Sequence, residues 1–318
     1  NGTPYYVVVT AVDIHDNESG YSALGKGTPI DVVDAWQHYQ ASGGEEAGGF
    51  APCTAGPRPA AGGWWLAALA ALALLGGWRW RRRAVALCAA LVALVAAPAY
   101  ADSPLDSAVD FRATRYLPGI DAPFGGKATP YADVFEGADW EMGGTADFRL
   151  WDRFGSLSMG LGLGWFTKEG KGLEKSTGKA SSDAATLKIL PLSVDLVYRL
   201  DPLAHKAGIP FVPYAKVGAM YALWWMLNGS GEYATYTTSA GKKIEALGGT
   251  GGWHAAAGVR FLLDVLEPSA ARSFDIEMGV NHSYLFLEYD KRVINDFGST
   301  KSIDLSDGVF SFGVAFDL

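Results

Sequence analysis

Residues 156–165, SLSMGLGLGW, constrain the fold of this chain more than any other feature. Leu157, Met159, Leu161, Leu163 and Trp165 alternate without a break with Ser156, Ser158, Gly160, Gly162 and Gly164. Successive side chains of a strand point to opposite faces, whereas a 3.6-residue helical turn would scatter these residues around its surface. A strand with one apolar face and one small, polar face is expected. The glycines fall on the second face, where small side chains admit a neighbouring backbone or a bulky residue. The same period ends the chain, where Phe310, Phe312, Val314, Phe316 and Leu318 oppose Ser311, Gly313, Ala315 and Asp317. Read in the same way, Phe274, Ile276, Met278, Val280, Tyr284 and Phe286 oppose Asp275, Glu277, Gly279, Asn281 and Ser283.

Eight such segments are expected, at about 107–117, 140–151, 154–167, 186–200, 209–226, 250–266, 272–289 and 305–318. Eight is even, as an up-and-down barrel of a bacterial membrane requires. The connections alternate in length. Those at 118–139, 168–185, 227–249 and 290–304 are long, and those at 152–153, 201–208 and 267–271 are short. With the first strand starting in the periplasm, every long connection falls outside the cell and every short one inside. A soluble sandwich has no reason for that asymmetry. Trp140, Trp151, Trp165, Trp224, Trp225 and Trp253 lie near strand ends, where two aromatic girdles belong.

The polar face carries Asp110, Arg112, Glu141, Asp147, Arg149, Asp195, Arg199, Lys216, Arg260, Asp264, Asp275 and Glu277. Lipid offers such groups neither partners nor water, so they are expected to face the lumen and neutralise one another. A catalytic reading of a carboxylate pair such as Asp275 and Glu277 is the less favoured one. The fold class is thus all-β: an eight-stranded antiparallel up-and-down transmembrane β-barrel over residues 102–318.

The first 101 residues are organised differently. Residues 5–12 read as a strand, 13–20 as a turn, and Tyr21 as the start of a second strand. This stretch resembles the last hairpin of a fibronectin type III module. The resemblance implies a remnant over 1–25 with Tyr5 or Tyr6 at a tyrosine corner. Residues 26–61 are rich in Gly, Pro and Ala and are read as a linker. The chain starts at Asn1 and has no methionine before Met142, as a piece of a longer reading frame would.

Two apolar runs then flank the sequence WRWRRR. Residues 64–78 are short of the roughly 20 needed for a full span, and Arg79, Arg81, Arg82 and Arg83 follow at once. Cys53, this run and the arginines resemble the C-terminal sorting tail of myxobacterial surface proteins, the MYXO-CTERM type, over 62–83. In that family the tail ends the protein, and here the chain continues. Residues 84–101 have the anatomy of a secretory signal peptide, with Ala99 and Ala101 at the cleavage-defining positions before Asp102. An uncleaved anchor is the alternative. One or two short apolar helices are expected from these runs, and the arginines read as a seam between two proteins.

The barrel region resembles the small outer-membrane β-barrel proteins of myxobacteria and their relatives. The residues carrying this are 115–121, RYLPGID, and the terminal FSFGVAFDL, with Leu318 where phenylalanine is commonest. The resemblance implies outer-membrane lipid and the barrel-assembly machinery, engaged through the last strand, as partners. A net charge of −8 and no basic stripe beyond residues 79–83 exclude a nucleic-acid partner.

Other signals are weak. GKGLEKSTGKAS, residues 170–181, departs from a phosphate loop in its glycine spacing and lacks a following helix. His15, His38, His205, His254 and His282 show no metal-ligand spacing, and His254 is expected to point inward into the charge network as a structural group. No nucleophile elbow appears and no cofactor is expected. An eight-stranded lumen is just filled by side chains, so the expected role is non-enzymatic, structural or in surface interaction through the long loops of an outer-membrane protein. The alternative is a narrow channel or a barrel binding a small ligand or lipid.

Overall fold

A computed structural model describes residues 3–45, 107–205, 207–239, 241–299 and 301–318. The period-two segments form the barrel strands β4 (Ser107–Tyr116), β5 (Asp139–Trp151), β6 (Ser156–Glu174), β7 (Ala180–Arg199), β8 (Phe211–Leu227), β11 (Leu247–Leu262), β12 (His282–Ile294) and β13 (Asp307–Asp317). Each pairs antiparallel with the next, and β13 returns to β4 from Ser311↔Thr114 to Asp317↔Ala108. The sheet is therefore a closed eight-stranded barrel with no free edge in its wall. The ribbon of β9 (Thr235–Thr237) and β10 (Lys243–Glu245) lies in the connection between β8 and β11.

The alternation read in residues 156–165 is realised residue by residue. Met159, Leu161, Leu163 and Trp165 are exposed on the outer wall, while Ser156 and Ser158 are buried in the lumen. Phe111, Val194, Leu196, Val217, Leu285, Leu287, Phe310 and Phe312 continue that outer apolar surface around the barrel. Their exposure is the inverse of a soluble barrel, in which large apolar residues fill the inside. Among the described residues no helix is long and apolar enough to cross a membrane.

Two glycines of the inner face are sterically required: a Cβ at Gly143 would lie 2.7 Å from the Leu163 carbonyl oxygen, and one at Gly218 2.5 Å from that of Val194.

Four expectations are corrected. The seventh strand is not 272–289. Residues Pro268–Met278 form a helix, α4, with Pro268 in its first turn and Gly279 as a left-handed C-cap at φ +69. Proline at the start and glycine past the end are helix punctuation, and the alternating Phe274, Ile276 and Met278 imitate a strand. The strand proper starts at His282 with its inner face shifted by one residue. Tyr284 and Phe286, expected outward, are 1% and 5% exposed and fill the lumen, while Leu285, Leu287 and Tyr289 face outward. A one-residue slip inverts a strand.

The second long connection is also shorter than expected. Residues 168–174 and 180–185 extend β6 and β7, leaving 175–179 as the hairpin loop. At the opposite end the third connection, 263–281, is longer than expected because it contains α4 and a 3-10 turn at Leu263–Val265. The other connections there are 152–155 and 200–210, the latter holding α3 (Pro202–His205).

The fourth correction concerns the linker. The described part of it, residues 26–45, does not run as a plain tether, and 46–61 lie outside the described residues. Val32–Val33, β3, pairs with Leu173 and Glu174 at the upper edge of β6. Ala35–Ala41, α1, follows and packs into the barrel mouth. Upstream, β1 (Tyr5–Val7) pairs with β2 (Gly25–Gly27), and Val12 bridges Glu18, so a hairpin is present with Tyr5 and Tyr6 exposed. Cys53, Arg79, Arg81, Arg82, Arg83, Ala99, Ala101 and Asp102 lie outside the described residues.

Candidate functional site: the lumen and its mouth

Alternation delivers charged side chains into the lumen from every wall strand except β6, which supplies serines and glycines there, and such buried groups find opposite charges. They do so in three tiers. At the short-turn end, Arg199 donates to Asp317 Oδ1 at 2.8 Å and to Ser156 Oγ at 3.1 Å. Arg260 lies 3.5 Å from Asp147 and 3.8 Å from Asp317, and the Tyr284 hydroxyl donates to Asp317 Oδ2 at 3.2 Å. In the middle tier, Arg112 donates to Asp110 at 2.9 Å, to Glu288 at 2.8 Å and to Thr145 at 2.8 Å. The Lys216 ammonium meets the other oxygen of Glu288 at 2.7 Å.

Towards the mouth, His254 sits between two carboxylates, with Nε2 2.6 Å from Asp195 and Nδ1 3.0 Å from Asp290. Arg292 donates to Asp290 at 2.9 Å and forks onto both oxygens of Glu141 at 2.9 Å. Between this tier and the glycines of β5 and β6 is a cavity of about 40 Å³. That is room for a few water molecules.

The structure thus brings together Asp110, Arg112, Glu141, Asp147, Asp195, Arg199, Lys216 and Arg260. Arg149 faces the same lumen, half-buried, but joins no ion pair among the described residues. Three expected members lie elsewhere. Asp264 is on the rim, where it binds His282 Nδ1 at 2.7 Å and the Ser283 N–H at 3.2 Å. Asp275 and Glu277 are exposed on α4. Five members escaped the sequence reading as network residues: Glu288, Asp290 and Arg292, displaced by the inverted register of β12, Asp317, and Asp201, 3.6 Å from Arg199. The polar alternation Glu288, Asp290, Arg292 was the signal that could have found the first three.

Of the six tryptophans named as girdle residues, Trp224 alone is buried inside the barrel. Trp140, Trp151, Trp165 and Trp253 are exposed on the outer wall. Trp165 packs edge-on to Trp225 at 5.6 Å, and Trp140 to Phe312 at 5.9 Å. Trp224, next to Trp225, has the opposite parity and is fully buried inside the mouth.

That mouth is the second part of the site. Above the upper tier the lumen turns apolar, with Tyr116, Phe166, Leu187, Ile189, Trp224 and Met226 buried together. Over them lies α1. Trp36 is fully buried, stacked on Tyr39 at 5.5 Å and tilted against Trp224 at 5.6 Å. Its Nε1 donates to the Ile244 carbonyl at 3.3 Å, and Gln37 Nε2 donates to that of Thr235 at 3.2 Å. His38 meets Asp133 at 2.8 Å on α2 (Pro130–Phe135), the helix of the first external connection.

Asp34 caps α1 by accepting from the Gln37 N–H at 2.8 Å, yet burial pushes its carboxyl above the ordinary aspartate value. The raised value belongs to the docked state, so its contribution is full below the ordinary value and falls as pH rises through the raised one. Asparagine keeps the acceptor without the charge. Asp34→Asn is therefore expected to protect residues 31–41 from hydrogen exchange at neutral pH at least as well as aspartate, with a flatter profile as pH rises above the ordinary aspartate value. Asp34→Ala should lose about 1 kcal/mol of that protection. The His38–Asp133 pair is present in both chains, so the difference between them isolates Asp34.

A closed barrel with an apolar outer wall, tryptophans exposed on that wall and a lumen crossed by ion pairs is an eight-stranded transmembrane β-barrel. No protein-family model and no curated protein matches the chain. Among solved structures it is similar to the outer membrane protein OprG from Pseudomonas aeruginosa, at 15% identity over 66% of this chain and 94% of that one, with a TM-score of 0.38. Neisserial surface protein A gives 14% identity over 67% of this chain and 96% of that one, with a TM-score of 0.32. Ail, the attachment invasion locus protein of Yersinia pestis, gives 9% identity, 66% and 95% coverage, and a TM-score of 0.30.

Proposed function

We propose that this chain forms a closed, non-conducting barrel in the outer membrane of a Gram-negative bacterium and acts by surface interaction at its mouth and long connections. The observation that carries this reading is the filled lumen. Three tiers of ion pairs cross it, the cavity beside His254 is only about 40 Å³, and an aromatic plug covers the upper end. A diffusion pathway needs a continuous wet path, and each tier blocks one. The buried charges serve one another rather than a substrate, which favours a non-enzymatic role. Lipid is the partner of the outer wall, and β13, with its alternating Phe310, Phe312, Val314 and Phe316, is the strand offered to the assembly machinery.

Planar-bilayer recording of the full chain tests the reading. No conductance steps above background are expected. Stable single-channel steps would replace it with a narrow channel.

A further inference from the structure

We propose that the groove between α4 and the lower outer wall is a binding site for one phospholipid with an ethanolamine headgroup, taken from the leaflet on the short-turn side. The proposal rests on the reading of the outer wall as the lipid-facing surface, and it does not depend on whether the lumen conducts.

Helix α4 belongs to no core. None of its residues is buried, and Phe274, Ile276 and Met278 are exposed. Ala270, Ala271, Phe274 and Met278 recur at the spacing of one helical face. An uncovered apolar face is unfavourable in water, whereas at a membrane interface it lies against acyl chains. Between this face and the barrel edge is a hollow of about 310 Å³, against about 40 Å³ for the cavity beside His254. That is inside the range of small-ligand sites, roughly 300–1,000 Å³. Ala270, Ala271 and Phe274 line it from the helix, and Leu263, Ser283 and Phe316 line it from the barrel.

The position of the hollow selects lipid as its occupant. Phe316 has the outward parity of Phe310, Phe312 and Val314, and it pairs with Ser283 on β12. Its neighbours Ala315 and Asp317 are buried inside the barrel. The hollow therefore continues the apolar outer wall and is separate from the lumen. Phe316 is also the lowest outward residue of β13, at the level where acyl chains give way to headgroups.

Charge selects the headgroup. The charged residues lining the hollow are Asp264 and Glu267, and among the described residues no lysine or arginine lines it. Asp264 is fixed by His282 Nδ1 and the Ser283 N–H, and Ser269 Oγ donates to one oxygen of Glu267. An ethanolamine ammonium offers these carboxylates a positive charge and three donors. A glycerol headgroup offers no cation, and leaves its phosphate facing two carboxylates.

The test uses the full chain folded into vesicles of equal parts phosphatidylethanolamine and phosphatidylglycerol. The protein is extracted in a mild detergent and the lipid that co-purifies is counted by mass spectrometry. Phosphatidylethanolamine is expected to be enriched about fivefold over phosphatidylglycerol, which is about 1 kcal/mol, the upper end for an exposed ion pair. Ala271→Trp fills the hollow and should abolish the enrichment. Glu267→Lys leaves the hollow open and should turn the preference towards phosphatidylglycerol, a reversal that a misfolded barrel would not give. Heat-modified migration on electrophoresis checks that each variant has folded. Equal retention of the two lipids by the unaltered chain would overturn the proposal, as would unchanged enrichment in either variant. Planar-bilayer recording reports on the lumen separately, so failure here is distinct from failure of the closed-barrel reading.

Discussion

Glu288→Leu is expected to lower the unfolding free energy of the barrel by about 3–5 kcal/mol, the range for removing one partner of a buried ion pair. Glu288 is 1% exposed and serves two cations, Arg112 at 2.8 Å and Lys216 at 2.7 Å. Arg112 keeps Asp110 and Thr145 after the substitution. Lys216 keeps the face of Tyr214, with its ammonium 5.6 Å from the ring centroid, and the more distant charges of Asp110 and Asp147, but no contact ion pair among the described residues. The cost is therefore that of a stranded ammonium rather than of a lost contact. Adding Lys216→Met should return most of the loss, since an apolar pair of similar volume is often neutral in a buried site. Urea unfolding in detergent micelles, followed by tryptophan fluorescence, gives the double-mutant cycle. Near-additive losses would show that Lys216 does not depend on Glu288.

Leu161→Arg is expected to cost about 2–4 kcal/mol when the barrel is folded in a bilayer. Leu161 is 43% exposed on the outer wall and pairs with Ala146 and Val194, midway between Trp165 and the 152–155 turn. On a protein facing water the same substitution would place a charge in solvent at nearly no cost. Comparing unfolding in phospholipid vesicles with Phe154→Arg, at the short-turn rim, separates the cases. The central arginine should be costly and the rim arginine nearly silent, because depth sets the penalty. Equal effects at both positions would contradict a membrane-embedded outer wall.

The lumen was legible wherever alternation ran unbroken from a strand already in register. Asp110, Asp147, Asp195 and Lys216 follow from the parity of neighbouring apolar residues alone. Trp224 and Trp225 were not separable as a pair of girdle residues, since parity places one inside and one outside. β12 was misread because α4 supplies three apolar residues at even spacing, which carried a false parity across Gly279. The helix is decided by Pro268 and the left-handed Gly279, signals weaker in the sequence than the alternation they interrupt. The docking of α1 had no local signal beyond the aromatics Trp36 and Tyr39 in a polar stretch.

By itself the sequence determined the closed barrel, its strand number and which wall meets lipid. Each follows from a period of two sustained over segments with one apolar face, and a slip of one residue would bury the wrong set. Only the tertiary structure decided which charges pair, since partners such as Arg292 and Glu141 are far apart in the chain and meet across the lumen. It also decided what closes the mouth. A well built from Tyr131, Phe135, Trp224 and Met226 exists only once β4 to β13 have closed, and until then nothing selects Trp36 to fill it.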